Sequence, residues 1–165
     1  MSSPIRTKNK FFQSLKNQNP RTLDKVIHEL HDDVFKKIDC LDCANCCKTT
    51  GPLWTPKDRD RVAKHLKIET IEFENSYLRI DEEGDYVLQQ LPCPFLENDN
   101  RCGIYKIRPK ACAEYPHTNR PKQKQILHLT QINESICPAV ESIIDQMESI
   151  FSRNAKKRLQ KRLRQ

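Results

Sequence analysis

The segment Cys40–Cys47 holds four of the chain's eight cysteines within eight residues. Cys40, Cys43 and Cys46 follow the spacing C-x2-C-x2-C. Cysteines two residues apart on a tight turn can direct their sulfurs to one point, and thiolate is the ligand that zinc and iron–sulfur clusters prefer. The segment therefore predicts a metal-binding site.

The other four cysteines are separated along the chain: Cys93, Cys102, Cys112 and Cys137. A C-x2-C-x2-C run followed by a remote cysteine before proline supplies [4Fe–4S] ligands in bacterial ferredoxins, and both Cys137 and Cys93 precede a proline. Successive side chains diverge, so Cys46 and Cys47 are expected to serve different centres, or one of them a structural role. If Cys137 completes the first group, the second is Cys47, Cys93, Cys102 and Cys112.

Zinc is the competing metal, because structural zinc sites take four thiolates, commonly from C-x2-C pairs. The later cysteines do not form such pairs: eight residues separate Cys93 from Cys102, and nine separate Cys102 from Cys112. An iron–sulfur cluster is therefore favoured over zinc. Disulfides or free thiols are the remaining alternative, since the number of cysteines is even.

Residues next to the cysteines are expected to support the site. Four thiolates around a 2+ centre leave a net charge of about -2, which nearby cations could offset. Five basic residues adjoin the cysteines, although ordinary surface charge is an equal explanation: Lys48, Arg101, Lys106, Arg108 and Lys110. The polar residues nearest the later cysteines are interpreted as hydrogen-bond partners of sulfur rather than an active site: Tyr105, Arg108, Tyr115 and His117. Trp54 and Phe95 are expected to shield the metal by packing.

Apolar periodicity and turn signals indicate a small α+β protein, mainly helical and loop-rich, with a short β-hairpin. At 165 residues with 36% apolar side chains, it has a modest core that a metal staple would stabilise. Residues 153–165 carry seven basic and no acidic side chains, while the rest holds 22 of each sign. We therefore predict three parts: a flexible basic arm (1–19), the cysteine-cluster domain (20–152) and a basic tail (153–165).

The same features bear on location and partners. No apolar run approaches the ~20 residues of a membrane-spanning helix, and the first 16 residues lack a signal-type apolar segment. These features predict a cytoplasmic protein without a membrane partner, and in that reducing compartment metal binding is favoured over disulfides. Blocks of like charge are usually solvated, so nucleic-acid binding by the tail is disfavoured. Metal ions are the expected partners, and no protein partner is indicated.

Apolar periodicity and capping signals predict the elements that position the cysteines. Helices are expected over 20–38, from Thr55-Pro56 to about Lys67, from Thr70 to Leu78, and from Cys137-Pro138 onward. A hairpin is predicted over 79–91, helical turns over 104–115 and a strand over 125–131. His28 and His31 share a helix face, and we interpret them as surface residues rather than ligands. Gly103 is expected to adopt the left-handed conformation of a metal-binding turn.

The combined motifs are Cys40-x2-Cys43-x2-Cys46-Cys47, Pro92-Cys93-Pro94-Phe95-Leu96, Cys102-Gly103-Ile104-Tyr105 continuing to Cys112, Tyr115-Pro116 and Cys137-Pro138. Over residues 38–142 this set resembles the YkgJ-like cysteine-cluster (CxxCxxCC) family of zinc- or iron-chelating proteins, and all eight cysteines match its pattern. The resemblance implies metal binding, with a structural or redox role.

Two alternatives to that role are kept. Relatives of the domain resemble parts of flagellin lysine methylases, which allows a metal-dependent modifying enzyme or oxidoreductase. However, the chain has no C-x3-C-x2-C radical-SAM motif, glycine-rich nucleotide loop or Ser/His/Asp spacing. The second alternative is a module that binds nucleic acid or an acidic partner through its basic tail.

Overall fold

The computed structural model of the chain describes residues 4–162 and 164. They form two compact units: one contains the segments before Asp39 and after Tyr115, and the other spans Asp39–Tyr115. Helices are the main elements of both units, and the described residues contain one two-stranded antiparallel sheet. The predicted fold class, a small and mainly helical α+β protein with a short hairpin, is confirmed. The three-part division based on charge stays a prediction.

The first unit contains four helices in its described part: α1 (Pro4–Leu15), α2 (Pro20–Phe35), α7 (Leu127–Glu134) and α8 (Pro138–Arg162). Helix α2 begins where the sequence predicts, because the Asn19 side chain accepts hydrogen bonds from the N–H groups of Arg21 and Thr22. Helix α8 begins at Pro138, also as predicted. Its buried residues Val140, Ile143, Ile144 and Met147 join those of α1, α2 and α7 in one apolar core.

Helix α1 occupies residues for which the sequence indicates a loose arm. Phe11, Phe12 and Leu15 lie on one face of the helix and are buried in the first core. Lys8 Nζ lies 2.6 Å from Glu134 Oε1, and this hydrogen bond raises the pKa of Lys8. The segment is therefore ordered because its few apolar residues pack in the same core as residues of α7 and α8.

The strand predicted over residues 125–131 is wrong. Gln123–Ile126 is a 3-10 turn, and helix α7 follows it directly. The buried residues of α7 are Leu127, Thr130 and Asn133, whose spacing of three places them on one helical face. Packing of that face onto the first core prevails over the weak local alternation from which a strand was predicted.

The second unit carries the cysteine cluster on short elements. They are a 3-10 turn (Cys40–Asp42), α3 (Asn45–Thr49), α4 (Pro56–Leu66), α5 (Thr70–Tyr77), β1 (Leu78–Ile80), β2 (Tyr86–Leu88), a second 3-10 turn (Tyr105–Ile107) and α6 (Lys110–Glu114). The helix starts predicted at Pro56 and Thr70, the hairpin and the helical turns over 104–115 are confirmed. In the hairpin, Leu78 pairs with Leu88 and Ile80 with Tyr86.

Aromatic side chains form the centre of the second core. Trp54 lies 5.2 Å from Phe73 and 6.2 Å from Phe95 between ring centroids, and Phe95 stacks on Tyr77 at 5.1 Å. The predicted packing role of Trp54 and Phe95 is confirmed. Cys93 and Cys102 pack against the same core. The aromatic cluster therefore supports two of the candidate ligands, whereas shielding of a metal by it stays a prediction.

The two histidines of α2 have hydrogen-bond partners within the first unit. His28 Nε2 lies 2.8 Å from the Arg120 carbonyl oxygen, and His31 Nδ1 lies 2.7 Å from Thr118 Oγ1. Burial lowers the pKa of His31, so the neutral ring is favoured there. Both histidines are half-buried and hydrogen-bonded, unlike the surface residues that the sequence predicts, and the interpretation that they are not metal ligands stays a prediction.

Candidate metal centre

The C-x2-C-x2-C segment folds as a 3-10 turn followed by a helix. Between them Ala44 takes the left-handed conformation with φ 48°, which allows the chain to turn from Cys43 into α3. The Ala44 N–H donates to the Cys40 carbonyl oxygen at 2.9 Å, and Lys48 Nζ donates to the Cys43 carbonyl oxygen at 2.6 Å. Cys46 and Cys47 therefore lie in a short helix whose start is held by these hydrogen bonds.

Gly103 does not take the left-handed conformation, so that prediction is wrong. The left-handed residue of this turn is Asn100, with φ 64°, and its side-chain amide donates to the Leu41 carbonyl oxygen at 2.7 Å. A Cβ at Gly103 would lie 3.2 Å from Glu97 Oε1. Asparagine is among the residues that tolerate the left-handed region, and it fixes the turn through its side chain.

Hydrogen bonds connect the segments that carry Cys47, Cys93 and Cys102. The Cys93 N–H donates to the Cys47 carbonyl oxygen at 2.8 Å. This bond joins α3 to the segment that follows the cis peptide bond between Leu91 and Pro92. Cys102 pairs with Leu96 in an antiparallel bridge, so the 93–102 segment folds back on itself. These backbone contacts place thiols from remote positions in one part of the second unit.

Asp58 connects the segment that carries Cys112 to α4. Its Oδ1 accepts hydrogen bonds from Arg61 and from the Lys110 N–H, which begins α6, and its Oδ2 accepts one from Thr55 Oγ1 at 2.6 Å. Burial, which would raise the pKa of Asp58, is outweighed by these bonds, so that pKa is lowered. In the sequence, Asp58 is recognisable only as an acidic residue in the first turn of α4. Its hydrogen bond to α6 joins residues 52 positions apart, so no local pattern predicts it.

Cys47 acts electrostatically on the thiols of Cys93, Cys102 and Cys112. Burial is the main cause that raises the pKa of Cys93, Cys102 and Cys112, the last to about 12. The charge at Cys47 adds to all three, and the charges at Cys93 and Cys102 add to the rise at Cys112. These four cysteines are the group that remained once Cys137 was assigned to the first three.

Cys46 and Cys47 do not point apart, contrary to the argument from successive side chains. The Cys46 thiol donates a hydrogen bond to the Cys47 sulfur; this bond raises the pKa of Cys46 and lowers that of Cys47 to about 7. Lys48 also lowers the pKa of Cys47, and Cys40 contributes to the rise at Cys46. Cys47 is therefore the more readily ionised of the pair.

The donor set fits a metal that prefers sulfur, although the thiols are not arranged as a finished site. Within residues 4–162 and 164, no three side chains of His, Cys, Asp or Glu lie close enough together to hold a metal ion. No disulfide joins the cysteines of these residues. Four thiols in one electrostatic neighbourhood are the donors that zinc and iron–sulfur clusters use, and binding must draw their sulfurs together.

Two of the five basic residues predicted to offset thiolate charge act on the thiols. Lys48 acts on Cys47, while Arg108 lowers the pKa of Cys102 and Cys112 against the larger effect of burial. The Arg108 guanidinium lies 3.8 Å from the centroid of the exposed Tyr105 ring and donates to the Tyr105 carbonyl oxygen. Tyr105 therefore positions Arg108.

The other predicted supporting residues have different surroundings. Arg101 pairs with Asp99 at 3.4 Å, Lys110 pairs with Glu114 at 3.6 Å, and Lys106 is exposed. Tyr115 is half-buried directly after α6, and its role at the sulfurs stays a prediction. His117 belongs to the first unit, where its carbonyl oxygen accepts a hydrogen bond from Gln123 Nε2.

Replacing Arg108 by glutamine is expected to weaken metal binding about 10-fold, the effect typical of residues that support metal ligands. The change removes a cation that favours the thiolate forms of both Cys102 and Cys112. Competition with a metal chelator measures the affinity. Arg101→Gln is the matched control, since it removes the same charge from a residue paired with Asp99; an equal loss in both variants would contradict a specific role of Arg108.

The predicted first group of Cys40, Cys43, Cys46 and Cys137 is not tested by the structure. Cys40 is exposed and influences Cys46 within the second unit. Cys137 lies in the first unit directly before α8, packs against that unit's core, and donates its N–H to the Asn133 carbonyl oxygen at 2.8 Å. The assignment of Cys137 as the fourth ligand of Cys40, Cys43 and Cys46 stays a prediction.

A mainly helical fold with cysteines on four separate segments of one unit, whose thiols interact electrostatically, defines a cysteine-cluster protein. Residues 39–138 match the family described as "CxxCxxCC: Putative zinc- or iron-chelating domain", and the chain belongs to this family. The match covers the whole second unit and all eight cysteines. Metal binding is therefore the general property of the chain.

The comparisons with individual proteins are narrower. The chain is 33% identical over 82 residues to the uncharacterized protein MJ0661 of Methanocaldococcus jannaschii, a match covering 48% of this chain and 44% of that protein. The chain thus spans less than half the length of this relative. No solved structure matches. In the described part of the chain, every helix is too short or too polar to cross a membrane.

Proposed function

We propose that Cys47, Cys93, Cys102 and Cys112 hold one metal centre through four thiolates, and that this centre ties together the loops of the second unit. The electrostatic effect of Cys47 on the thiols of Cys93, Cys102 and Cys112 carries the proposal. An iron–sulfur cluster is the favoured form and a zinc ion the alternative, in a structural or redox role. Bonds from either metal to sulfur would add stability that an apolar core of this size does not provide by itself.

The protein residues have separable tasks in this proposal. Hydrogen bonds of the Cys93 N–H to Cys47 and of the Lys110 N–H to Asp58 hold the ligand-bearing segments. Lys48 and Arg108 offset two negative charges, which equals the net charge of about -2 expected for four thiolates with a 2+ centre. The aromatic core around Trp54 and Phe95 excludes water from the side where Cys93 and Cys102 pack.

Metal analysis of protein prepared without oxygen, combined with an optical spectrum, tests the proposal. We expect iron with matching acid-labile sulfide and a brown sample for a cluster, or a colourless sample with zinc for the alternative. Protein that contains neither metal, and takes up neither when it is supplied with iron and sulfide or with zinc, would falsify the proposal.

Metal affinity is expected to rise with pH. The raised pKa values of Cys93, Cys102 and Cys112 keep these thiols protonated near neutrality, so each must release a proton to bind metal. Cys47 has a pKa of about 7, so its thiol is protonated, and releases a fourth proton on binding, only below that pH. The logarithm of the zinc affinity should therefore increase by about three per pH unit above neutrality and by about four below it.

Chelator competition over this pH range, corrected for protonation of the chelator, measures the slope. An affinity that does not change with pH would show that these thiols are not the ligands. His65→Gln, an exposed change on α4, is the control and should leave the slope as it is.

A further inference from the structure

Helix α8 continues well beyond the core that it helps to form. Met147 is fully buried, and Ile150 and Phe151 are partly buried against the first core. The helix then runs to Arg162, and the described side chains that follow Phe151 are exposed. The segment predicted as a basic tail is therefore largely helical, which fixes the relative positions of its charges.

Three cations form a row on this extension. Arg153, Lys157 and Lys161 follow one another at intervals of four residues, so they lie on one face over about 12 Å of helix. All three are exposed, and within the described residues none forms an ion pair with an acidic side chain. We name Arg153, Lys157 and Lys161 the basic row.

The fold by itself does not account for the basic row. Like charges four residues apart repel and destabilise a helix. The helix dipole favours cations only in the last turn, which explains Lys161 but not Arg153 or Lys157. A polyanion lying along the row would remove this repulsion.

We propose that the basic row binds the phosphate backbone of nucleic acid without sequence preference. Nucleic acid presents closely and regularly spaced negative charges that can meet several cations of a rigid row at once. Residues 26–152 carry five more acidic than basic side chains, so this part of the chain does not favour a polyanion. Arginine and lysine without an aromatic residue in the row give phosphate contacts but no base stacking.

The test measures binding of the full chain to a short mixed-sequence DNA duplex by fluorescence anisotropy at several salt concentrations. The triple variant R153Q/K157Q/K161Q should bind roughly tenfold or more weakly at low salt. The slope of log affinity against log salt should become shallower by about 2.7, or about 0.9 for each lost phosphate contact. The charge-preserving variant K157R/K161R should bind as the parent does.

The matched control is K10Q/K37Q/K64Q, which removes the same charge from exposed residues elsewhere and should retain most of the affinity and the salt slope. Equal losses in the two triple variants would overturn the proposal, as would an unchanged affinity in R153Q/K157Q/K161Q. Binding to phosphatidylserine-containing vesicles or to polyglutamate, with no binding to the duplex, would also overturn it. Metal content should be the same in all these variants, so this result is independent of the proposed metal function.

Discussion

Replacing Cys112 by serine is expected to remove most of the metal from the proposed centre and to destabilise the second unit with it. Cys112 is one of four thiols in the group, and serine is a poor ligand for metals that prefer sulfur. A site saturated at about 1,000 times its dissociation constant contributes about 4 kcal/mol to stability, and most of this should be lost. Metal analysis and urea unfolding of the metal-loaded protein measure the two effects.

The metal-free protein is the control for this variant. Without metal, Cys112→Ser should change the free energy of unfolding by only about 1 kcal/mol, because a half-buried thiol is exchanged for a hydroxyl of similar shape. Equal destabilisation with and without metal would mean that Cys112 contributes by packing alone.

Other single variants separate ligands from structural residues. Cys43→Ser tests the first group and should also lower metal content and stability. His28→Gln should leave the metal content unchanged. His28 lies 2.8 Å from the Arg120 carbonyl oxygen, so its loss should cost up to about 1 kcal/mol of stability. If His28→Gln lowers metal content as much as Cys112→Ser, the ligand assignment is wrong.

Asp58→Asn is expected to destabilise the protein by roughly 2–4 kcal/mol, the cost of breaking a buried network of charged hydrogen bonds. Asp58 is only 2% exposed and accepts hydrogen bonds from Thr55, Arg61 and the Lys110 N–H. An amide nitrogen cannot accept those bonds, so at least one donor loses its partner. Since Lys110 begins the helix of Cys112, metal affinity should fall as well.

The pH dependence of stability checks the role of the Asp58 charge. Its pKa is lower in the folded protein, so its contribution is complete above its unfolded value of about 3.9 and is lost as pH falls through the folded pKa. The difference between the parent and Asp58→Asn should therefore shrink in acid. Urea unfolding at neutral and at acidic pH measures this difference.

Asp60→Asn is the matched control, because Asp60 lies on the same helix but is exposed and accepts a bond from Thr70 Oγ1. It should cost less than about 1 kcal/mol. A similar loss in Asp58→Asn and Asp60→Asn would show that the buried network around Asp58 is not important.

The sequence by itself determined the chemistry and most of the local structure. The cysteine spacings led to metal binding and to the family, and Asn19-Pro20, Thr55-Pro56 and Cys137-Pro138 marked three helix starts correctly. These features depend on residues a few positions apart, whose capping bonds and fixed proline φ act locally. The grouping of Cys47, Cys93, Cys102 and Cys112 stays a prediction of the sequence.

Only the tertiary structure decided which distant residues act together. The hydrogen bond from Lys110 to Asp58 and the effect of Arg108 on Cys102 and Cys112 depend on chain segments that meet only after folding. Residues 127–131 belong to helix α7 because Leu127 and Thr130 are buried in the first unit, and burial of Phe11 and Phe12 orders α1 in the same way. Local preferences in these segments are weak, so burial against remote partners determined the result.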